Sequence, residues 1–319
     1  MIRELERWSH MQAVSGYEDR ASSKLVEQMR NLDCVVEVDN LHNVICKRKG
    51  RDSSGKVMIL AHLDEVGIQI IRQINKNKKR YCFKTLGSIK NSSLINETIC
   101  FENGAMGKIY EEHPEKKDSK HTENLYIEIT GETDVSTGDV GTYAPFFQAD
   151  AEYIAGKALD NRVGCFILYS VLKENIVTQD DVYYVFSTQE EIGMRGAKVA
   201  VSRLMPDKII SIDLSPVSES SSLLAGEGVG IKVSDGISIS DRDLVKKFMN
   251  IAAENKISCQ KEVSTYGAME TILINEKDCG SKNIGLTLAC ISMHTKNTKV
   301  NLDDIEAARE LLSLYLHTV

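Results

Sequence analysis

The stretch Val185-Phe186-Ser187-Thr188-Gln189-Glu190-Glu191-Ile192-Gly193-Met194-Arg195-Gly196-Ala197 decides how the chain is read. The run Val182 to Phe186 just ahead of the glutamates is short, β-branched and aromatic, the pattern of a buried strand. Two adjacent carboxylates, Glu190 and Glu191, follow its carboxyl end, and two glycines, Gly193 and Gly196, then allow close backbone approach. Ligands of open α/β sheets collect at the carboxyl ends of the strands. Neighbouring side chains at such a point head in different directions, so one glutamate can hold a cation while the other works as a base. A Glu pair is ordinarily solvated surface, and Glu111-Glu112, in the polar stretch Glu111 to Asn124, reads that way. The strand end is what sets Glu190-Glu191 apart.

Outward from this stretch the βα rhythm continues. Arg195 to Leu204 reads as a helix, and Lys208 to Asp213 as a strand with Asp213 at its end. Asp241 to Asn255 is a helix capped by Ser240 or Asp241. Asn283 to Ile291 is a strand leading to His294, and Leu302 to Leu316 an amphipathic helix. Upstream, Leu159 to Lys173 predicts a buried helix that opens with Asp160. At the start, Leu5, Trp8, Met11 and Gln12 fall at helical spacing until Ser15-Gly16. A second helix, beginning near Glu18, carries Ala21, Leu25 and Met29 on one face. Val35 to Val38, Asn43 to Lys47 and Val57 to Ala61 read as strands, the last running into Ala61-His62-Leu63-Asp64-Glu65-Val66-Gly67.

Between Ile68 and Tyr153 the rhythm changes. Short alternating stretches are separated by Gly, Asn, Asp and charged residues, with no amphipathic helix, which predicts a small all-β module, barrel-like or sandwich-like. The fold class is therefore α/β, with residues 1–67 and 154–319 forming one domain and 68–153 inserted into it.

Composition narrows the function classes. The chain has 319 residues, 42% hydrophobic and 27% charged, with a net charge of −7. No basic run is long enough for nucleic acid, and Lys76 to Arg80 and Lys116-Lys117 read as loop decoration. No apolar run approaches membrane-spanning length, and the charged N-terminus lacks a signal core. The eight cysteines are scattered, none in a C-x-x-C pair, and read as buried reduced thiols of a cytoplasmic enzyme.

Strand and helix ends now present His62, Asp160, Glu190-Glu191, Asp213 and His294. Each has a bland reading: Asp160 as a helix cap, Asp213 as a turn residue, a lone histidine as a satisfied core group. Five at one sheet edge are a different matter. A His/carboxylate set without thiolate suits Zn²⁺, Co²⁺ or Mn²⁺. Five ligands exceed the need of one open site and fit two metals about 3.5–4 Å apart, bridged by a carboxylate. Asp64, two residues after His62, can hold the imidazole's other nitrogen.

Three motifs carry a resemblance. They are Ala61-His62-Leu63-Asp64-Glu65-Val66-Gly67, Lys157-Ala158-Leu159-Asp160-Asn161-Arg162-Val163-Gly164-Cys165, and Gln189 through Ala197. With these, the chain resembles metallopeptidase family forty-two, the dinuclear-metal aminopeptidases of glutamyl, leucyl, deblocking and tetrahedral type, whose members have been mislabelled cellulases or endoglucanases. The resemblance covers essentially the whole chain. It implies a mixed sheet sandwiched by helices and an aminopeptidase that cleaves N-terminal residues from peptides with metal-activated water. Two divalent ions per subunit, zinc or cobalt and alternatively manganese, are implied, with His62, Asp160, Glu191, Asp213 and His294 as ligands. Asp160 would bridge, His62 and Asp213 would each bind a different metal, and Glu190 would be the general base with Asp64 in support. The resemblance further implies a cis Asp160–Asn161 peptide. It also implies a homo-oligomer, from dimer to dodecamer, assembled through the inserted domain.

Two regions depart from the family. Tyr266-Gly267-Ala268-Met269-Glu270-Thr271 stands where Gly-Thr-Asp is usual, and Ile291-Ser292-Met293-His294 lacks the usual Arg-Tyr. Both are expected to shape the substrate pocket or its surroundings, so no side-chain preference carries over. The competing readings are a carboxypeptidase or amide deacylase on the same di-metal scaffold, a metal-free two-carboxylate glycosidase, and a non-catalytic homologue.

Overall fold

The structure is a computed structural model that describes residues 1–111, 124–265 and 280–319. Glu112, Lys116-Lys117, the departure at Tyr266 to Thr271, and Cys279 lie outside the described residues. Four parallel strands form the middle of an 11-stranded mixed sheet, in the spatial order Asp181–Ser187, Lys56–His62, Lys208–Pro216 and Lys282–Ile291. Antiparallel strands Val44–Arg48 and Val35–Val38 extend one side. Thr298–Asn301, Tyr153–Gly156 and Phe147–Ala149 extend the other. Val229–Ser234 pairs with Lys282–Ile291 and carries Cys259–Val263.

The central strands are buried on both faces, so they read as unbroken apolar runs. Successive residues alternate between two cores. Val57, Ile59, Ala61, Val182, Tyr184 and Phe186 join the larger core with Trp8, Leu25, Ile167, Phe248 and Leu312 of the covering helices. Met58, Leu60, Tyr183 and Val185 pack on the other side against Ala197, Ala200 and Val201 of helix Arg195–Leu204. Helices thus cover both faces, as expected of a sandwiched mixed sheet.

Between two strands of this sheet the chain closes a six-strand antiparallel barrel from Gly67–Asn75, Arg80–Leu86, Leu125–Thr130, Met106–Glu111, Thr98–Phe101 and Val140–Tyr143. It has its own core of Ile68, Ile70, Phe83, Ile99, Phe101, Ile109 and Ile127. The last barrel strand ends at Tyr143, and Phe147–Ala149 already pairs into the large sheet. Among the described residues no helix is long and apolar enough to cross a membrane.

Some local expectations are corrected. The first helix is Ile2–Ser9, and Met11 is buried without being helical. The reason is Arg162, whose Nη1 takes the carbonyls of Trp8 and Met11 and so ends the helix early. Asn91–Leu94 forms one helical turn, too short for any periodicity to reveal. The strand expected to stop at Asp213 runs on to Pro216. Of the described cysteines, all free, Cys46, Cys165 and Cys290 are buried, whereas Cys34, Cys82, Cys100 and Cys259 are only partly so.

One ionic cluster joins barrel, sheet and N-terminal segment. The Glu65 carboxylate, 2% exposed, meets Lys157 Nζ at 2.7 Å and the Thr142 hydroxyl of the barrel at 2.7 Å. It also accepts the Ala13 N–H at 3.1 Å, with Arg162 Nη2 3.5 Å away. Removing one partner of a buried pair strands the other's charge. Lys157→Met is therefore expected to lower unfolding stability by roughly 3–5 kcal/mol, measured by urea titration. An unchanged midpoint would mean that Glu65 does not depend on Lys157.

Candidate metal centre and active site

Register brings the first two side chains together. In the parallel ladder Ser211 lies opposite Leu60, and two residues further along, Asp213 and His62 emerge on the same face. His62 Nε2 is 3.7 Å from Asp213 Oδ1 and 3.4 Å from Asp160 Oδ1. The other oxygen of Asp160, Oδ2, is 3.2 Å from His294 Nε2, which is itself 3.2 Å from Glu191 Oε1. The ligand atoms of His62, Asp160 and Asp213 all lie within 4.8 Å of one another. The same holds for Asp160, Glu191 and His294, and for His62, Glu190 and Glu191.

This grouping differs from the pairing carried over from the resemblance. His62 and Asp213 sit on one side of Asp160 rather than on opposite sides, because equal strand parity and adjacent strands fix them together. Glu191 and His294 occupy the other side.

Asp160 reaches the centre because it does not cap its helix. Asp160 and Asn161 have non-helical backbone, and the peptide between them is cis. Capping falls to Asn161, whose Oδ1 accepts the Gly164 N–H at 3.0 Å while its Nδ2 donates to the Ile212 carbonyl at 2.7 Å. A Cβ at position 164 would come within 2.3 Å of Asn161 Oδ1, so only glycine fits there.

The stretch Thr188 to Glu191 is held by side chains from other segments. The Thr188 N–H goes to Asn43 Oδ1 at 2.9 Å, and the Gln189 N–H to Glu18 Oε1 at 2.9 Å. The N–H groups of Glu190 and Glu191 go to Asp64 Oδ1 and Oδ2, at 3.0 and 3.2 Å. Successive N–H groups around a left-handed residue form an anion-holding concavity, and Gln189 is that residue, with φ +55°. Left-handed non-glycine backbone also occurs at Ala158, Met194 and His294, clustered at this edge.

Asp64 thus does more than expected. Its carboxylate also accepts the Ser15 hydroxyl. The expected bond to the imidazole is looser: His62 Nδ1 is 3.6 Å from Asp64 Oδ1 and 3.2 Å from the Asp64 carbonyl. His294 Nδ1 donates to the Ser88 carbonyl at 2.8 Å, which leaves Nε2 facing the carboxylates. Ser88, Ser15, Glu18 and Asn43 were not singled out from sequence. Ser15-Gly16 reads only as a helix break, and Glu18's partner, Gln189, is 171 positions away.

The centre is electrostatically tense. Burial, with the like charge of Asp160, pushes the Asp213 carboxyl up to about 7, and burial raises Glu191 as well. Against burial, Asp160 and Glu191 drive the His294 imidazole up to about 11, and Asp160 and Asp64 raise His62 well above its ordinary value. Against its own burial, the two imidazoles hold Asp160 below the carboxylate range. Glu191 Oε1 is buried and stands 3.2 Å from the His294 imidazole without a well-aligned hydrogen bond. Three carboxylates and two imidazoles brought together in this way are a donor set suited to a divalent cation.

A sequence profile of M42 glutamyl aminopeptidases matches residues 42–311. The chain belongs to this family, and so is a peptidase and a hydrolase. A provisionally named aminopeptidase of Acetivibrio thermocellus is 28% identical over 320 residues, spanning 97% of this chain and 96% of its own. The aminopeptidase APDkam598 of the archaeon Desulfurococcus kamchatkensis superposes with a TM-score of 0.92 at 23% identity, over 100% of this chain and 94% of that one. The Pyrococcus horikoshii TET1 peptidase, described as assembling into a tetrahedron or a large octahedral shell, gives 0.87 at 23% identity over 100% and 99%. At these identities the structural likenesses speak for the fold.

Cations must displace the protons that His62 and His294 hold, because only neutral imidazole ligates. Both imidazoles are raised, so the competition strengthens as pH falls. The apparent affinity for Zn²⁺ is expected to weaken between about pH 8 and about pH 6, with protons released on binding. Calorimetry in buffers of different ionisation enthalpy reads both, and binding without proton release would contradict the assignment of these two ligands.

Proposed function

We propose that the chain is an aminopeptidase that removes N-terminal residues from peptides, with two divalent cations held at His62–Asp160–Asp213 and Asp160–Glu191–His294. The observation that carries this reading is Asp160, which turns one carboxylate oxygen to each side. Zinc or cobalt suits the donors, and manganese is an alternative. Cations bound there would polarise a scissile carbonyl and acidify a water.

The chain's own groups then divide the work. Glu190, at the cavity wall beside His62 and Asp160, takes the proton of the attacking water and passes it to the leaving amine. Asp64 fixes the backbone from which Glu190 and Glu191 depart. A glycosidase would need its two carboxylates free of metal, whereas Asp160, Glu191 and Asp213 stand against imidazoles, which favours the peptidase reading.

A cavity of about 400 Å³ runs from this cluster to Ser215, Ser218, Ser220 and Lys232, and Met293 lines it too. Lys232, 4% exposed, places its ammonium 3.3 Å from Glu262 Oε1. A second buried carboxylate, Asp235 Oδ2, lies 3.8 Å from the same ammonium, and the Glu262 oxygens also accept the Ser215 and Thr287 hydroxyls.

The barrel, with its own core, supports a division of the chain into a catalytic part and an inserted assembly module, the module ending at Tyr143 rather than at 153 because Phe147–Ala149 pairs into the large sheet; through it copies would join in a homo-oligomer, as the TET1 peptidase forms shells. Free cysteines support a cytoplasmic location.

A panel of aminoacyl-p-nitroanilides tests the reading. Hydrolysis should vanish on chelation and return with Zn²⁺ or Co²⁺. Glu190→Gln should abolish turnover while bound metal stays at the wild-type level. Turnover near wild type in that variant, or cleavage only of acylated or C-terminal substrates, would overturn the assignment.

A further inference from the structure

Glu18 is a buried carboxylate that the chemistry above does not use. It is 1% exposed and stands at the start of helix Asp19–Met29, but its side chain does not cap that helix. Its Oε1 instead accepts two backbone N–H groups, from Gly16 at 2.9 Å and from Gln189 at 2.9 Å. Gly16 has φ +87°, so the loop folds back to bring its N–H to this oxygen.

The second bond is the informative one. Gln189 is the residue immediately before Glu190, and its φ is +55°. A left-handed conformation costs a non-glycine residue roughly 1–2 kcal/mol, and it persists only where surroundings enforce it. Bonds on either side hold its flanks: the Thr188 carbonyl accepts the Gly196 N–H at 2.9 Å, and the Glu190 carbonyl accepts the Met194 N–H at 2.8 Å. Asn43 fixes Thr188 and Asp64 fixes Glu190 and Glu191, yet the turn between them pivots at Gln189. The Gln189 carbonyl is occupied in the next helix, accepting the Arg195 N–H at 3.1 Å. Its N–H is therefore the handle by which the sense of the turn is set, and Glu18 grips it. Burial, with Asp64 nearby, pushes the Glu18 carboxyl up to about 7, so acceptance of two N–H groups rather than full charge is what the site needs from it.

We propose that Glu18 is a positioning residue for Glu190: by holding the Gln189 N–H it keeps the left-handed turn that aims the Glu190 carboxylate at the cation cluster. This rests on the reading of Glu190 as the general base. Among the described residues Glu18 neither lines the cavity nor belongs to a candidate ligand group, and Asp64 holds the Glu191 N–H independently, so loss of Glu18 should act on turnover and leave both binding terms alone.

Two substitutions separate reach from charge. Glu18→Gln keeps the length and an accepting oxygen, and is expected to retain kcat within a few-fold. Glu18→Asp keeps the charge but falls one methylene short, and is expected to lower kcat on the order of a hundredfold, with KM and bound metal unchanged. Adding Gln189→Gly to Glu18→Asp should recover part of kcat, because glycine adopts the left-handed turn unaided. Loss of kcat in Glu18→Gln, or full kcat in Glu18→Asp, would overturn the proposal, as would a kcat loss matched by loss of metal. Should Glu18→Asp fail to fold, by urea titration, Glu18→Gln still decides. Glu190→Gln in the same assay keeps the two claims apart: if it stays active the base assignment fails, and if it is dead while Glu18→Asp is normal only the positioning claim fails.

Discussion

The Asp64 carboxylate, fully buried, accepts the backbone N–H groups of both Glu190 and Glu191 and the Ser15 hydroxyl. The rest of the centre depends on this anchor. Asp64 follows strand Lys56–His62, the glutamates follow strand Asp181–Ser187, and Ser15 belongs to the N-terminal segment. A single side chain thus ties three separate parts of the chain to one geometry. His62, two residues before the anchor, is carried into place by the same turn. The two carboxylates leave one dipeptide whose backbone is held at both N–H groups.

A second buried carboxylate, Glu65, extends the constraint to the barrel through Thr142, Lys157 and Arg162. Barrel and sheet are therefore one mechanical unit at the centre. The segment after barrel strand Arg80–Leu86 contributes directly, since the Ser88 carbonyl fixes the His294 ring. An insertion that looks like an accessory in the sequence thus positions a side chain of the candidate site.

Much of this was legible in the sequence because it lies in local pattern. Apolar runs of central strands, the helix Leu159–Lys173 and the alternation of the barrel all follow from periodicity. His62, Asp160, Glu191, Asp213 and His294 were named because each stands beside an apolar element. Which of them face each other was not legible, because that depends on parity and register across the sheet; His62 and Asp213 share a side for that reason alone. The supporting shell was equally hidden. Glu18, Asn43 and Ser88 act through carbonyls, carboxylates or amides on backbone far away in sequence, and no spacing rule marks such a bond. Arg162 shortened the first helix in the same long-range way.

In the proposed reading Asp160 joins two cation sites. Elemental analysis of bound divalent metal after equilibrium dialysis tests it most directly, with wild type compared to Asp213→Asn and Asp160→Asn. Two ions per chain in the wild type, about one in Asp213→Asn and close to none in Asp160→Asn are predicted. A single ion in the wild type, or an Asp160→Asn chain that keeps both, would contradict the account.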